Sequence, residues 1–80
     1  MSADRIRTVL AAHARLDRDA TRLSDEDDLY EAGMTSLSSV NVMLALEGEF
    51  EVEFPDQLLN RAVFSSVGAI QAALATIQTG

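Results

Sequence analysis

Four hydroxyls, those of Thr35, Ser36, Ser38 and Ser39, crowd the start of the segment GMTSLSSVNVMLALE that runs from Gly33 to Glu47. A flexible Gly followed by Thr and Ser ahead of an apolar run reads as a helix N-terminus, where a hydroxyl accepts a hydrogen bond from one of the unpaired backbone N–H groups. The positive end of the helix dipole lies there too, so an anion tied to Ser36 Oγ would be stabilised. On this grammar two readings of Ser36 stay open, an ordinary cap and the anchor of a phosphodiester. Other chemistry is poorly supplied. A serine hydrolase needs a G-x-S-x-G elbow and a base, whereas this chain has no such elbow and one histidine, His13. His13 reads as a continuation of the first helix's apolar stripe and is assigned no chemistry. The chain has no Cys, so disulfides and thiolate metal sites are excluded. Asp25, Glu26, Asp27 and Asp28 resemble the start of a calcium loop but lack the D-x-[DN]-x-[DN]-G-x5-E order. No metal site is expected, beyond at most a loose divalent-cation patch.

The helix behind those hydroxyls has to position them. Leu37 to Phe50 is helical in pattern, and stepping about 100° per residue places Val42, Met43, Leu46 and Phe50 in one half of it. Leu37, Val40 and Leu44 fall on the other half, flanked by Asn41, Glu47 and Gly48. A helix apolar on both sides is either central in its domain or displays one side to a partner. A chain of 80 residues cannot readily surround it. The second stripe is therefore expected to be displayed, the alternative being that Leu29 or Tyr30 from the preceding loop shields it.

Around this helix the remaining elements are modest. Ile6, Val9 and Leu10 recur at helical spacing from Ala3 to about Ala14, which predicts helix one. Residues 17–35 have no sustained periodicity and read as a long ordered loop pinned by Leu23, Leu29 and Tyr30. Glu51 to Phe54 alternates like a strand but has no pairing partner, so it reads as an extended connector. Pro55 and Asp56 open a short helix, Gln57 to about Arg61. Ser65 or Ser66 caps a last helix whose Val67, Ile70, Leu74 and Ile77 share a face. The fold class is all-α: a small four-helix bundle of three main helices and one short one, with a long loop between the first two, in a single domain over residues 1–80.

Charge narrows the partners. Residues 1–22 carry five Arg against three Asp, residues 23–60 carry ten acids and no base, Arg61 follows, and the net charge is −7. An acidic middle repels phosphate backbones and anionic headgroups, so neither nucleic acid nor membrane is an expected partner, and basic protein surfaces are. The chain shows no secretory signal and no apolar run long enough to span a bilayer, and a cytoplasmic, monomeric protein is expected.

The run DLYEAGMTSLSSVNVMLALEGEFEVEFPD resembles the acyl carrier and peptidyl carrier protein family: an acidic loop, a Gly, a D-S-L-type motif, an apolar helix ending E-x-E-F, and F-P-D. The preceding helix and Phe64-Ser65-Ser66-Val67 with its final helix extend the likeness over nearly the whole chain. By that resemblance Ser36 is the attachment point of covalent 4'-phosphopantetheine, placed there by a phosphopantetheinyl transferase using coenzyme A. Ser38 and Ser39 are then ordinary helix residues. The family is not enzymatic; its members hold an acyl or aminoacyl group as a thioester and present it to partners. Thr35, Leu37, Val40, Asn41, Leu44 and Glu47 are the implied partner-binding residues, the apolar ones docking and acids such as Glu47 forming a rim that steers association.

Some positions depart from the family. Thr35 stands where Asp usually precedes the modified serine, and Ser38, Asn41 and Gly48 are neutral where fatty-acid carriers commonly show acids. Those departures point away from housekeeping fatty-acid synthesis and toward a dedicated partner. The Leu-Tyr-x-Ala-Gly and Phe-Pro-Asp-x-Leu-Leu-Asn-Arg elements are similar to stand-alone carriers of alpha-proteobacterial type, loaded by an amino acid:carrier protein ligase that resembles a truncated seryl-tRNA synthetase. The implied function is an aminoacyl carrier that delivers to a downstream acceptor enzyme. A carrier with an acyl-loading enzyme in a specialised fatty-acid or secondary-metabolite pathway, and an unmodified interaction module, are the alternatives.

Overall fold

Three stripes of aliphatic side chains fold inward against one another. The computed structural model describes residues 2–79 and arranges them as α1 (Ser2–His13), α2 (Ser36–Phe50) and α3 (Val67–Thr79), with 3₁₀ turns at Ala20–Arg22 and Asp56–Leu58. Ile6 and Leu10 from α1, Val42 and Leu46 from α2, and Val67 and Ile70 from α3 are completely buried, as is Leu29 from the long loop. Each such side chain contributes about 1.5–3 kcal/mol of burial before the cost of ordering the chain. No strand occurs among the described residues; 52–54 is the connector expected, while Glu51, at φ 54°, is the left-handed cap that ends α2.

Three sequence expectations need correction. The fourth helix is one 3₁₀ turn, Asp56–Leu58, and does not reach Arg61. Asn60 takes over there: its Nδ2 donates to Gln57 O at 3.1 Å and its Oδ1 accepts from Val63 N at 3.0 Å, so side-chain turns replace helical bonds. His13 is exposed, and Ala14, fully buried, completes the stripe of α1 instead. On α2 only Val42 and Leu46 of the predicted core face are fully buried, while Met43 and Phe50 are half-buried. At Phe50 the cover comes from Arg5. Its guanidinium lies 4.3 Å from the centre of the Phe50 ring and donates to Glu49 Oε2 at 3.0 Å and to Glu49 O at 2.7 Å, closing α1 over the end of α2.

The long loop is held by hydrogen bonds within itself and to the segment before α3. Asp17 N donates to Ala32 O at 2.8 Å, Met34 N to Leu29 O at 3.0 Å, and Leu29 N to Ser65 O at 2.8 Å. These bonds bury Ala20, Leu23, Leu29, Ala32 and Met34, more anchors than the three expected. Most of the loop acids serve as local braces. Asp27 accepts from Ser24 N, Asp28 from Tyr30 N and Glu31 N, and Asp25 pairs with Arg7, whose Nε also donates to Leu23 O. Asp19 caps its 3₁₀ turn, and the Thr21 hydroxyl and amide hold its carboxyl below the usual range. That stabilisation is present above the unfolded carboxyl pKa and is lost as pH falls through the folded one. Gly33, with φ +115°, makes the last bend before α2; a Cβ there would sit 3.3 Å from Asp17 N.

Candidate functional site

Hydrogen bonding separates the four hydroxyls. Thr35 is the N-cap of α2: its Oγ1 accepts from Ser38 N at 3.1 Å, and Ser38 Oγ accepts from Thr35 N at 2.8 Å. This is a capping box with Ser in the place more often held by Glu or Gln. Ser38 is consequently buried, at 4% exposure. Ser39 Oγ donates to Ser36 O at 2.7 Å. Ser36 sits in the first helical position, exposed, and among the described residues its Oγ has no hydrogen-bond partner. The helix begins one residue before the expected Leu37, and its cap is Thr35. Replacing Thr35 with Ala removes the box and is expected to cost about 1 kcal/mol. For a domain this size, that lowers Tm by about 4–8 °C, and an unchanged thermal melt would refute the assignment of the cap.

Electrostatics favour an anion on Ser36. The first turn of α2 carries no acid, so the positive end of the dipole is not offset by a carboxylate on the helix. Thr35 in place of an acid contributes to this.

Behind Ser36 the second stripe is displayed. Leu37, Val40 and Leu44 are 75%, 48% and 56% exposed, so the shielding alternative does not hold: Leu29 is buried in the core, and Tyr30, which lines the same groove as Val40, leaves the stripe open. Leu59, at 45% exposure, adds a further apolar side chain from the connector, which runs on past the 3₁₀ turn at Asp56–Leu58 to residue 66. Between α2 and that connector runs a groove of about 310 Å³. Ser36, Ser39, Val40 and Met43 form its α2 wall; Tyr30, Leu59 and Phe64 continue the lining, with Asn60 and Arg61 as its polar groups. The Arg61 guanidinium lies 3.9 Å from the centre of the Tyr30 ring. Asn41 is exposed on the same helix. Glu47 is half-buried and its Oε2 accepts from Phe54 N at 2.8 Å, so the acid expected at a steering rim also braces the connector.

Sequence reasoning does not single out Leu59, Asn60, Arg61 or Phe64 for this site. Helical periodicity carries no information about which connector folds against α2; the Leu-Leu-Asn-Arg tetrapeptide is the one signal available. Tyr30 reads from the sequence as a loop anchor or a shield for the second stripe, and not as the seat of a cation.

A free hydroxyl at a positive helix end, with an apolar stripe beside it and a groove leading away, is an arrangement able to hold a tethered group. Residues 4–74 match the PP-binding family, described as the phosphopantetheine attachment site. The chain is 44% identical over 75 residues to an aminoacyl carrier protein of Agrobacterium fabrum, covering 94% of this chain and 90% of that one. It matches a chain in the crystal structure of engineered Bradyrhizobium japonicum glycine:[carrier protein] ligase complexed with carrier protein from Agrobacterium tumefaciens and ATP, with TM-score 0.92, 42% identity and coverage of 96% and 100%. It also matches a chain in the complex of the Bradyrhizobium japonicum ligase with glycylated carrier protein, with TM-score 0.73, 26% identity and coverage of 89% and 96%. The chain therefore belongs to the phosphopantetheine-attachment family of carrier proteins. Members carry 4'-phosphopantetheine covalently. Among the described residues no helix is long and apolar enough to cross a membrane.

Proposed function

We propose that this protein is an aminoacyl carrier in which Ser36 Oγ bears the 4'-phosphopantetheine arm. The observation that carries the assignment of the residue is the state of the hydroxyls: Thr35, Ser38 and Ser39 are spent on the backbone of α2, and Ser36 Oγ is free. When attached, the arm supplies a thiol that holds the amino acid as a thioester. The protein's own residues orient and present it. Thr35 and Ser38 fix the first turn, the unneutralised helix end favours the phosphodiester, and Leu37, Val40 and Leu44 offer a surface on which partner enzymes dock. Asn41 and Glu47 border that surface. The chain performs no catalysis of its own in this reading.

Such a carrier needs three classes of partner: a phosphopantetheinyl transferase, an amino acid:carrier protein ligase and an acceptor enzyme. The ligase has direct support from relatives, since this chain covers all of a chain crystallised with a glycine:[carrier protein] ligase. We assign the chain to the cytoplasm, where ATP and coenzyme A are at hand, and to action as a monomeric unit spanning residues 1–80. The reading is tested by incubating holo-protein with ATP, a glycine:[carrier protein] ligase and glycine, then with other amino acids or fatty acids and candidate amino-acid and fatty-acid ligases. The expected product is an aminoacyl adduct, seen by intact mass and lost on treatment with hydroxylamine, which cleaves thioesters. Acylation by fatty acids alone, with every amino acid refused, would overturn the aminoacyl assignment.

A further inference from the structure

Arg61 is out of keeping with its surroundings. Residues 23–60 contain ten acids and no base, and the next residue is an arginine. The described ion pairs engage Arg5, Arg7 and Arg18, and none of them includes Arg61. Its guanidinium instead lies 3.9 Å from the centre of the half-buried Tyr30 ring, on the groove that Ser36 also lines. A cation stacked on an aromatic face keeps its N–H donors at the edges of the guanidinium plane, available to an anion. Resting a long side chain on a ring also reduces the rotamer freedom lost when that anion binds.

We propose that Arg61, held on Tyr30, is the counter-cation of the phosphodiester on Ser36 and draws the root of the arm into the groove between α2 and the connector. This rests on the assignment of Ser36 made above. The ligand class is a phosphodiester monoanion, which matches a planar guanidinium in charge and in hydrogen-bond geometry. The groove walls suit the part of the arm beyond its phosphate, since Val40, Met43 and Leu59 provide apolar surface for the methylated carbons, and Asn60, with one N–H on Gln57 O and one lone pair on Val63 N, keeps its second N–H and second lone pair for the peptide-like groups. Such a pair is open to solvent and screened by salt, so it biases the arm without locking it. Release to a partner enzyme is then inexpensive.

The test uses ¹⁵N-labelled full-length protein before and after modification, with intact mass checked first. Failure of Ser36 to gain the arm would be visible at that step and would sink the carrier assignment itself, separately from the role of Arg61. With the arm in place, the Arg61 Nε–H resonance is expected to move between apo- and holo-protein. The ³¹P resonance of the arm is expected to shift in R61Q toward that of a phosphopantetheinylated serine peptide, and to retain more of its wild-type position in R61K. High NaCl should reverse the wild-type Arg61 shift. Should R61Q resist the transferase, the wild-type Nε–H signal and its reversal by salt decide the matter. An Arg61 resonance indifferent to modification, or a ³¹P signal identical in modified wild type and R61Q, overturns the proposal.

Discussion

Ser36→Ala, coexpressed with a broad-specificity phosphopantetheinyl transferase, is expected to emerge with its unmodified mass, while the parent chain gains one arm. The loss should be complete, because no neighbouring hydroxyl is positioned to substitute. Ser38 Oγ is buried in the capping box and Ser39 Oγ is bonded to the carbonyl of Ser36. Stability should barely change. Ser36 Oγ makes no hydrogen bond among the described residues, and Ala is well tolerated in a first helical turn, so the cost is expected within about 0.5 kcal/mol. Ser38→Ala should behave in the opposite way, retaining the modification while losing about 1 kcal/mol with the box. A mass gain in Ser36→Ala, mapped to Ser38 or Ser39, would refute the site.

Leu46→Ala and Leu44→Asp form the second pair, two residues apart on one helix with opposite expected consequences. Leu46 is fully buried, and truncating such a side chain costs about 2–5 kcal/mol through lost burial and the cavity left behind. A domain of this size is held together by about 4–12 kcal/mol, so the variant should melt at least about 8 °C lower, with partial unfolding at ambient temperature at the upper end of that cost. Leu44 is 56% exposed and contributes little to that core. Asp at position 44 is expected to cost about 0.5 kcal/mol in helix propensity and to leave the fold in place. Its effect should appear in loading: inserting a charge into the docking stripe is expected to lower kcat/KM for the ligase about tenfold or more, the equivalent of about 1.4 kcal/mol. Loading by the ligase that proceeds unimpaired in Leu44→Asp would show that the stripe does not dock it. A Leu46→Ala protein as stable as its parent would show that the two faces of α2 have been exchanged.

The two faces of α2 are legible because helical periodicity is a local property, and Leu37, Val40 and Leu44 fall opposite Val42 and Leu46 in any α-helix. For the cap of the last helix the sequence offers two serines; the structure selects Ser66, whose Oγ accepts from Ala69 N at 3.1 Å. The short helix is overextended in the sequence reading because Pro55 and Asp56 announce a helical start, while Asn60 ends it through bonds to Gln57 and Val63 that local propensity does not reveal. Spacing alone allows His13 on the stripe of α1. The chain turns there through Arg15 at φ +56°, which leaves His13 in solvent and Ala14 in the core. Glu47 is legible as an acid near the docking stripe, but not as a brace for Phe54, because that contact spans a turn whose geometry depends on Glu51 in the left-handed region at φ 54°.

What the sequence by itself determined are the helices, their apolar faces, the acidic middle, and a serine at the head of the second helix in the order shared by a carrier family, since each depends on neighbours within a few residues. Tertiary structure decided which hydroxyl is free, that the second stripe is open to solvent, and that Tyr30, Leu59 and Arg61 meet Ser36 along one groove. Those outcomes depend on where a long loop and a connector come to rest against α2. That placement is set by packing of Leu29, Phe54 and Phe64 and by backbone bonds such as Leu29 N to Ser65 O, between residues far apart in the chain. Local periodicity carries no record of such pairings.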